Sequence, residues 1–399
     1  MAQVRNAIEG APTVAASKET NRRLWWTGRQ SEFLGHELNP MEESRNLDFL
    51  RSVAVLLVLV SHILLTAGLA SRFPAAYDMG RLGVLIFFVH TSMVLMLSLE
   101  RSEKRNGGHL FRDFYIRRAF RIYPLTIACV LLVSFFRVPQ AVGAAPTTRG
   151  LSQILANLLL VQNLAGQPNV IGPLWSLPLE VQMYAVLPFF FVFARRHSAT
   201  ALLALGGATV IVALTFERLL SMHLVLGLGR LDTLDFIPCF VAGVMCYRLS
   251  KNRTAALSSR LWPVAVVAIV TIYLLWQIVF PDSTDRNPAY RGWIVCWILG
   301  VLIPQFREVR LRWLRTASHY VAKYSYGIYL GQVPALWIGA TFWPQMAGGS
   351  RWMVSVLLLV GIAVAGYHAI EHPGILLGKL VADRWESNRS PVAELGVGA

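Results

Sequence analysis

The stretch RNLDFLRSVAVLLVLVSH, Arg45 to His62, opens the first long apolar run of the chain. It sets Arg45, Asp48, Arg51 and His62 in or beside a segment otherwise fit to cross a bilayer. An ionisable side chain is costly in hydrocarbon, and those that persist there mark substrate paths, proton relays or ligand sites. Whether this is a spanning helix or a buried helix of a soluble protein depends on the residues around it.

Composition decides for the membrane. Of 399 residues 55% are hydrophobic and only 15% are charged, where a soluble domain carries roughly 25% charged residues. The apolar residues come in runs of about twenty, enough for a hydrocarbon core about 30 Å thick. The pattern predicts an all-α, polytopic membrane protein. Spans are expected at about 48–70, 82–99, 122–137, 174–194, 199–220, 232–249, 261–280, 290–306, 324–344 and 351–372, ten in all. Residues 150–165, GLSQILANLLLVQNLA, are too short and polar to span and read as a re-entrant or interfacial helix.

The net charge of +15 could suggest nucleic acid, but its distribution argues against that. Basic residues gather in alternate connections: RSEKRNGGHLFRDFYIRRAFR, RRH, RLSKNRTAALSSR and REVRLRWLR. Such alternation orients a membrane protein with its basic loops in the cytoplasm. Both termini are then cytoplasmic, in the inner (plasma) membrane. Residues 1–45 lack the short apolar core of a cleavable signal and read as a cytoplasmic tail. The membrane domain spans 46–380, and 381–399 form a second short tail. Cys129, Cys239, Cys246 and Cys296 fall in apolar runs without metal-like or disulfide-like spacing, so no metal is expected.

On a helix, Arg51 and His62 stand about 20° apart in projection and about 16 Å apart along the axis. Asp48 falls near the same line, so one stripe carries an acid, a guanidinium and an imidazole. A neutral imidazole at depth suits a general base toward a hydroxyl. The plainer alternative is an Asp–Arg pair that anchors the helix end and a buried histidine bonded to a neighbour.

Further clusters follow. In FRDFYIRRAFRIYPL, Arg117 and Arg121 share a helix face beside Arg118, with Tyr123 and Pro124 setting the start of the third span. Guanidinium forks suit phosphate oxygens, of a ligand or of lipid headgroups. In GPLWSLPLEVQMYAVLP, Pro173 and Pro178 interrupt the backbone and bring Glu180 together with Trp175, Ser176 and Tyr184. Aromatic faces beside a carboxylate suit sugars, although Trp and Tyr also populate the membrane interface. Tyr326, Tyr329 and Gln332 lie in YSYGIYLGQ, and YHAIEHPG places Glu371 near the inner end of the last span, which Pro373 ends.

Jointly these segments resemble the acyltransferase 3 family of integral membrane O-acyltransferases. An Arg ten intervening residues before a His, preceded by Asp, is met by Asp48, Arg51 and His62. FFVHTSMVL is similar to the family's second-span motif, Arg117, Arg118, Arg121, Ile122 and Pro124 to its basic motif, and WSLPLEVQMY to its WSLxxExxFY. Ser325 to Gln332 and Glu371–Pro373 complete the set. Four positions depart: Thr91-Ser92 replaces Ser-Gly, His90 replaces an aliphatic residue, and Gln332 replaces a His.

The resemblance implies transfer of an acyl group, acetyl first, from cytoplasmic acyl-CoA to a hydroxyl of a sugar or glycoconjugate in surface polysaccharide assembly. It casts residues 46–380 as the acyltransferase domain. His62, Arg51, Asp48 and Glu180 would be catalytic. Arg117, Arg118, Arg121, Tyr123 and Ser92 would bind acyl-CoA. Trp175, Ser176, Tyr184, Tyr326, Tyr329, Gln332, Glu371 and His90 would line the acceptor site. Membrane lipids and polysaccharide biosynthesis proteins are the expected company. The competing class is a transporter or flippase for a glycan or anionic lipid, which ten spans with buried charge would also suit.

Overall fold

The apolar runs form helices, and the charged stretches between them connect those helices at their ends. The computed structural model describes residues 44–106, 110–145, 148–221, 233–252, 255–280, 289–343, 345–346 and 348–387. In order the helices are α1 (Arg45–Thr66), α2 (Ala76–Asn106), α3 (Leu110–Phe135), α4 (Leu151–Leu158) and α5 (Gln162–Ala165). A 3-10 turn, Gly172–Trp175, leads into α6 (Ser176–Arg196), followed by α7 (Ala199–Ser221), α8 (Thr233–Asn252), α9 (Leu261–Val279) and α10 (Ala289–Leu302). The series ends with α11 (Arg312–Phe342), α12 (Gly348–Gly366), a π turn over Tyr367–Glu371, and α13 (His372–Ser387). Of the expected tails, 1–45 and 381–399, residues 1–43 and 388–399 lie outside the described residues, while 381–387 continue α13 as helix.

Among the described residues, eight helical segments are long and apolar enough to cross a membrane, where ten spans were expected: Arg45–Thr66, Ala76–Lys104, Leu110–Phe135, Gly172–Arg196, Ala199–Leu219, Thr233–Lys251, Leu261–Val279 and Gly349–Arg384. The other two expected spans differ for separate reasons. α10 has 14 described residues, about 21 Å of helix against a core of about 30 Å. α11 is long but polar, and its Ser318, Ser325 and Gln332 are buried. It packs between α1 and α12, so its polar groups face protein rather than lipid, where they are tolerated.

Two prolines expected to delimit spans lie inside helices instead. α3 begins at Leu110 and passes through Pro124. Proline cannot donate to the carbonyl four residues back, and that carbonyl, Phe120 O, faces α13 at Gly374, where a Cβ would come within 2.8 Å of it. Likewise the last span does not end at Pro373. The π turn just before it lets the His372 N–H reach Tyr367 O, five residues back, and the relaxed ladder absorbs the proline before the helix runs on to Ser387.

Close backbone approach sets the α1–α2 register. A Cβ at Gly83 would meet Ala54 O at 2.5 Å, and one at Gly80 would meet Ser61 Oγ at 2.6 Å. Small residues at such crossings let membrane helices pack tightly. The two helices are antiparallel, so His90, seven residues past Gly83 on the same face, falls opposite the Leu47–Arg51 turn.

The basic connections meet at one end of the bundle. Arg195 pairs with Glu103 and Lys251 with Glu100, while the Arg248 guanidinium donates to His197 O and that of Arg307 to Ala255 O. Asn46 at the start of α1 is buried among the same connections. Its backbone N–H donates to Glu308, its side chain donates to the carbonyls of Phe306 and Arg307, and its Oδ1 accepts from Val309 N–H.

The 150–165 segment, expected to be re-entrant or interfacial, folds as a hairpin against α3. At its mouth Arg149 donates to the carbonyls of Val133, Val138 and Val170. At its tip Tyr123 OH donates to Leu159 O at 3.2 Å. Tyr123 lies ten residues before Val133 on α3, so the hairpin descends about 15 Å along that helix. Leu160 turns it with φ of 55° and is fully buried, while Leu151, Leu155 and Leu159 face outward.

Candidate active site

Six elements bring polar side chains to the interior of this bundle. Arg51 of α1 donates from Nε to Ser325 Oγ of α11 at 2.6 Å, and Ser325 donates on to Ala322 O. Around that guanidinium, Arg121, Glu371, Glu180 and Asp48 all lie within electrostatic reach. His90, placed opposite by the α1–α2 register, feels Arg51 and Arg121 in turn. The charges are therefore mixed, two guanidinium groups among the carboxylates of Glu371, Glu180 and Asp48, and mutual compensation is what makes such a cluster tolerable at depth.

Tyrosines and hydroxyls build the next layer. Tyr184 OH donates to Glu180 Oε1 one turn earlier on α6. Tyr329 OH donates to Pro173 O at 2.7 Å and lies 2.7 Å from Ser176 Oγ. Since the phenol spends its single proton on Pro173, Ser176 is the donor in the second bond. Phe87 meets the Tyr329 ring edge-on, with centroids 6.1 Å apart. Tyr326 OH donates to Ile122 O at 3.0 Å and contacts Thr126 Oγ1, tying α11 to α3.

Buried atoms in this region without a hydrogen-bond partner among the described residues include His90 Nδ1, Gln332 Oε1 and Glu371 Oε2. Their residues are at most 4% exposed. A buried polar atom without a partner costs about 1–3 kcal/mol. Such atoms around a charged cluster mark a place where another molecule supplies the missing bonds. His90 and Gln332 are also two of the positions where the chain departs from the family pattern.

The remaining expected residues are placed elsewhere. His62 donates from Nδ1 to Val58 O at 2.8 Å; because a carbonyl only accepts, the proton sits on Nδ1 and a neutral ring keeps its Nε2 lone pair. It stands about 16 Å along α1 from Arg51, level with Gly80, and no charged group among the described residues acts on it. Asp48 also pairs with His319, 3.2 Å away. Ser92 donates to Phe240 O at 2.6 Å, which commits its hydroxyl to the α2–α8 packing. Tyr123 faces the hairpin tip and not the arginines. Arg117 is paired with Asp383 at 2.9 Å, whereas Arg118 is buried toward Arg121, Glu180 and Tyr184 and reaches Ser98 Oγ at 3.4 Å. Trp175 packs against Phe236 with ring centroids 5.6 Å apart.

Several partners went unseen in the sequence. Asp383 lay beyond the proline expected to end the last span, and His319 lay in a connection. Thr126, one turn past Ile122, carried no signal beyond its hydroxyl in an apolar run. Among the described residues no group of three His, Cys, Asp or Glu side chains is arranged to hold a metal ion.

Comparison with known proteins fits this arrangement. A putative peptidoglycan O-acetyltransferase of Bacillus subtilis is 26% identical over 82% of this chain and 54% of its own length. An O-acetyl transferase of Shigella phage Sf6 is 25% identical over 74% of this chain and 85% of its own. A putative membrane-bound transacylase of Komagataeibacter xylinus is 24% identical over 93% and 91% respectively. The chain thus spans about half the length of the Bacillus relative and most of the other two. No solved structure matches. The family model described as an acyltransferase domain matches residues 44–370, which takes in Arg51, His90, Arg121 and Glu180 and stops one residue short of Glu371, and the chain belongs to that acyltransferase 3 family.

Proposed function

We propose that this chain transfers an acyl group, acetyl first, from cytoplasmic acyl-CoA to a hydroxyl of a sugar or glycoconjugate during surface polysaccharide assembly. The observation that carries the proposal is the buried cluster of Arg51, Arg121, Glu180, Glu371 and His90 with its unpartnered atoms. Relatives named as O-acetyltransferases support the reaction, and those named for peptidoglycan support a glycan acceptor. The shared end of the basic connections supports a cytoplasmic face there, hence cytoplasmic termini in an inner membrane.

In this mechanism the donor comes from the basic end. Arg118 and Arg121, with Arg117 at the half-exposed rim, attract its phosphates. The pantetheine arm runs past Arg51 toward His62, and the separation of about 16 Å means that one thioester does not touch both. His62 Nε2 takes the proton of the acceptor hydroxyl as its oxygen attacks the thioester carbon. The carbon–sulfur bond breaks, and the departing CoA thiolate takes the proton back from the imidazolium. No acyl-enzyme intermediate is required. A second reading is favoured by one observation: His90, not His62, shares the cluster with Arg51 and Arg121, so its ring could be the proton acceptor.

The decisive experiment supplies inverted membrane vesicles with radiolabelled acetyl-CoA and follows label into the glycan fraction. An acyltransferase builds up base-labile label in the glycan. A transporter or flippase, the competing class, moves substrate and leaves it unmodified, and glycan free of label with the chain present would reject the proposal.

A further inference from the structure

At the far end of the bundle from the basic connections lies a cavity of about 390 Å3, to which the family motifs contribute only Trp175 and Leu179. It falls within the range of small-molecule sites, roughly 300–1,000 Å3. Its walls come from three elements: Asn163, Gln167 and Asn169 on the returning limb of the hairpin, Trp175 and Leu179 at the start of α6, and Asp235 and Phe236 in the first turn of α8. The opposite end of α8 carries Lys251, which pairs with Glu100 among the basic connections.

The walls are held in place. Asn163 and Gln182 exchange amide hydrogen bonds, Gln182 Nε2 donating at 2.9 Å, and Thr233 Oγ1 donates to Gln182 Oε1. Hairpin, α6 and α8 are thereby stitched together. Trp293 Nε1 donates to Asp235 O at 2.7 Å and fixes the first turn of α8. Gln162 donates to Asn169 Oδ1 at 3.2 Å, which orients that amide with its NH2 group still to be used. The Phe236 ring meets Phe88 edge-on at 5.6 Å and leans on Trp175.

A half-buried indole, three primary amides and one carboxylate around a preformed hollow suit a ring with an apolar face and a rim of hydroxyls. We propose that this cavity binds one pyranose ring of the acceptor glycan, a neutral hexose or N-acetylhexosamine in preference to an acidic sugar. Trp175 takes the face of the ring, and Gln167, Asn169 and Asp235 take its hydroxyls. The preference follows from charge: among the described residues lining the cavity Asp235 is the one ionisable side chain, and none of them is a Lys or Arg to receive a carboxylate. The ring's role as acceptor rests on the acyltransferase reading; its binding does not.

The two are separable by experiment. The full chain in lipid nanodiscs, without acyl donor, is titrated with a tetrasaccharide of neutral β-linked hexoses and with its uronate counterpart, with binding read by saturation-transfer NMR. The neutral probe binds the wild type, and Gln167→Ala and Trp175→Leu each weaken it about tenfold, the loss of one well-placed polar or stacking contact. Asp235→Asn narrows the gap between the two probes. Gln167 makes no side-chain hydrogen bond to the protein among the described residues, so its variant retains the wild-type melting temperature and tests the cavity even if Trp175→Leu fails to fold. Failure of the wild type to bind the neutral probe, preference for the uronate, or unchanged affinity in Gln167→Ala and Asp235→Asn overturns the proposal. Transfer whose acceptor KM ignores these substitutions sinks the cavity and leaves the enzyme standing. Cavity-dependent binding without any acyl transfer does the reverse.

Discussion

Removing the Ser325 hydroxyl isolates what holds Arg51 in place. Arg51 Nε donates to Ser325 Oγ at 2.6 Å between α1 and α11, and Ser325 is fully buried. A hydrogen bond to a charged group contributes about 1.5–3 kcal/mol. If that energy holds the guanidinium in its working position, Ser325→Ala lowers kcat/KM for acyl-CoA by roughly 10- to 150-fold. The acceptor KM changes less than the donor KM, because Ser325 does not line the cavity at the far end. The assay is initial-rate transfer of labelled acetyl in nanodiscs at varied donor, with a thermal melt to verify folding. Arg51→Lys keeps the charge but not the planar fork, and it falls at least as far. A folded Ser325→Ala protein whose kcat/KM stays within twofold of wild type refutes the view that this bond positions Arg51.

Other outcomes follow from the same geometry. Tyr329→Phe strands Pro173 O and the Ser176 hydroxyl in a buried place and destabilises the chain by about 1–3 kcal/mol, read as a lower melting temperature. Gly83→Ala forces α1 away from α2, because its Cβ would meet Ala54 O at 2.5 Å; folded yield falls sharply, while Gly349→Ala, with nothing within 4 Å, leaves yield unchanged. Asp383→Asn releases Arg117 from a half-exposed ion pair that contributes less than about 1 kcal/mol, so the melt hardly moves while the donor KM falls as Arg117 becomes available to phosphate. Glu371→Gln keeps the shape at a buried position but removes a charge facing Arg51 and Arg121, and it reduces transfer more than stability.

Much of the fold was legible because hydrophobic run length and basic connections are local signals. Pro124 and Pro373 misled because the cost of a proline is local but its relief is not: Gly374 on another helix and a π turn absorb it. That 150–165 is not a full span could be read from its shortness, but its position along α3 is set by a bond between Tyr123 and Leu159 and by Arg149 at the mouth. α11 was expected to be apolar enough to span, yet its serines and glutamine are affordable only because α1 and α12 enclose them.

For the site, Arg51, Glu180 and Glu371 were readable as ionisable groups in apolar helices, and they meet. Which way a side chain points round its helix was less readable. Ser92 and His90 are two residues apart on α2, and one turns to α8 while the other turns to Arg51. Arg117 and Arg121 share a helix face, yet only Arg121 joins the cluster, since Asp383 draws Arg117 to the rim.

The central claim is that His62 accepts the hydroxyl proton at a place reached by the acyl donor, and single-turnover transfer by His62→Ala beside His90→Ala tests it most directly. With equal amounts of folded protein in nanodiscs, His62→Ala loses transfer by about 100-fold or more, as expected for a general base, and His90→Ala retains most of it. Wild-type transfer by His62→Ala, with transfer abolished in His90→Ala, would contradict the claim and move the chemistry to the arginine cluster.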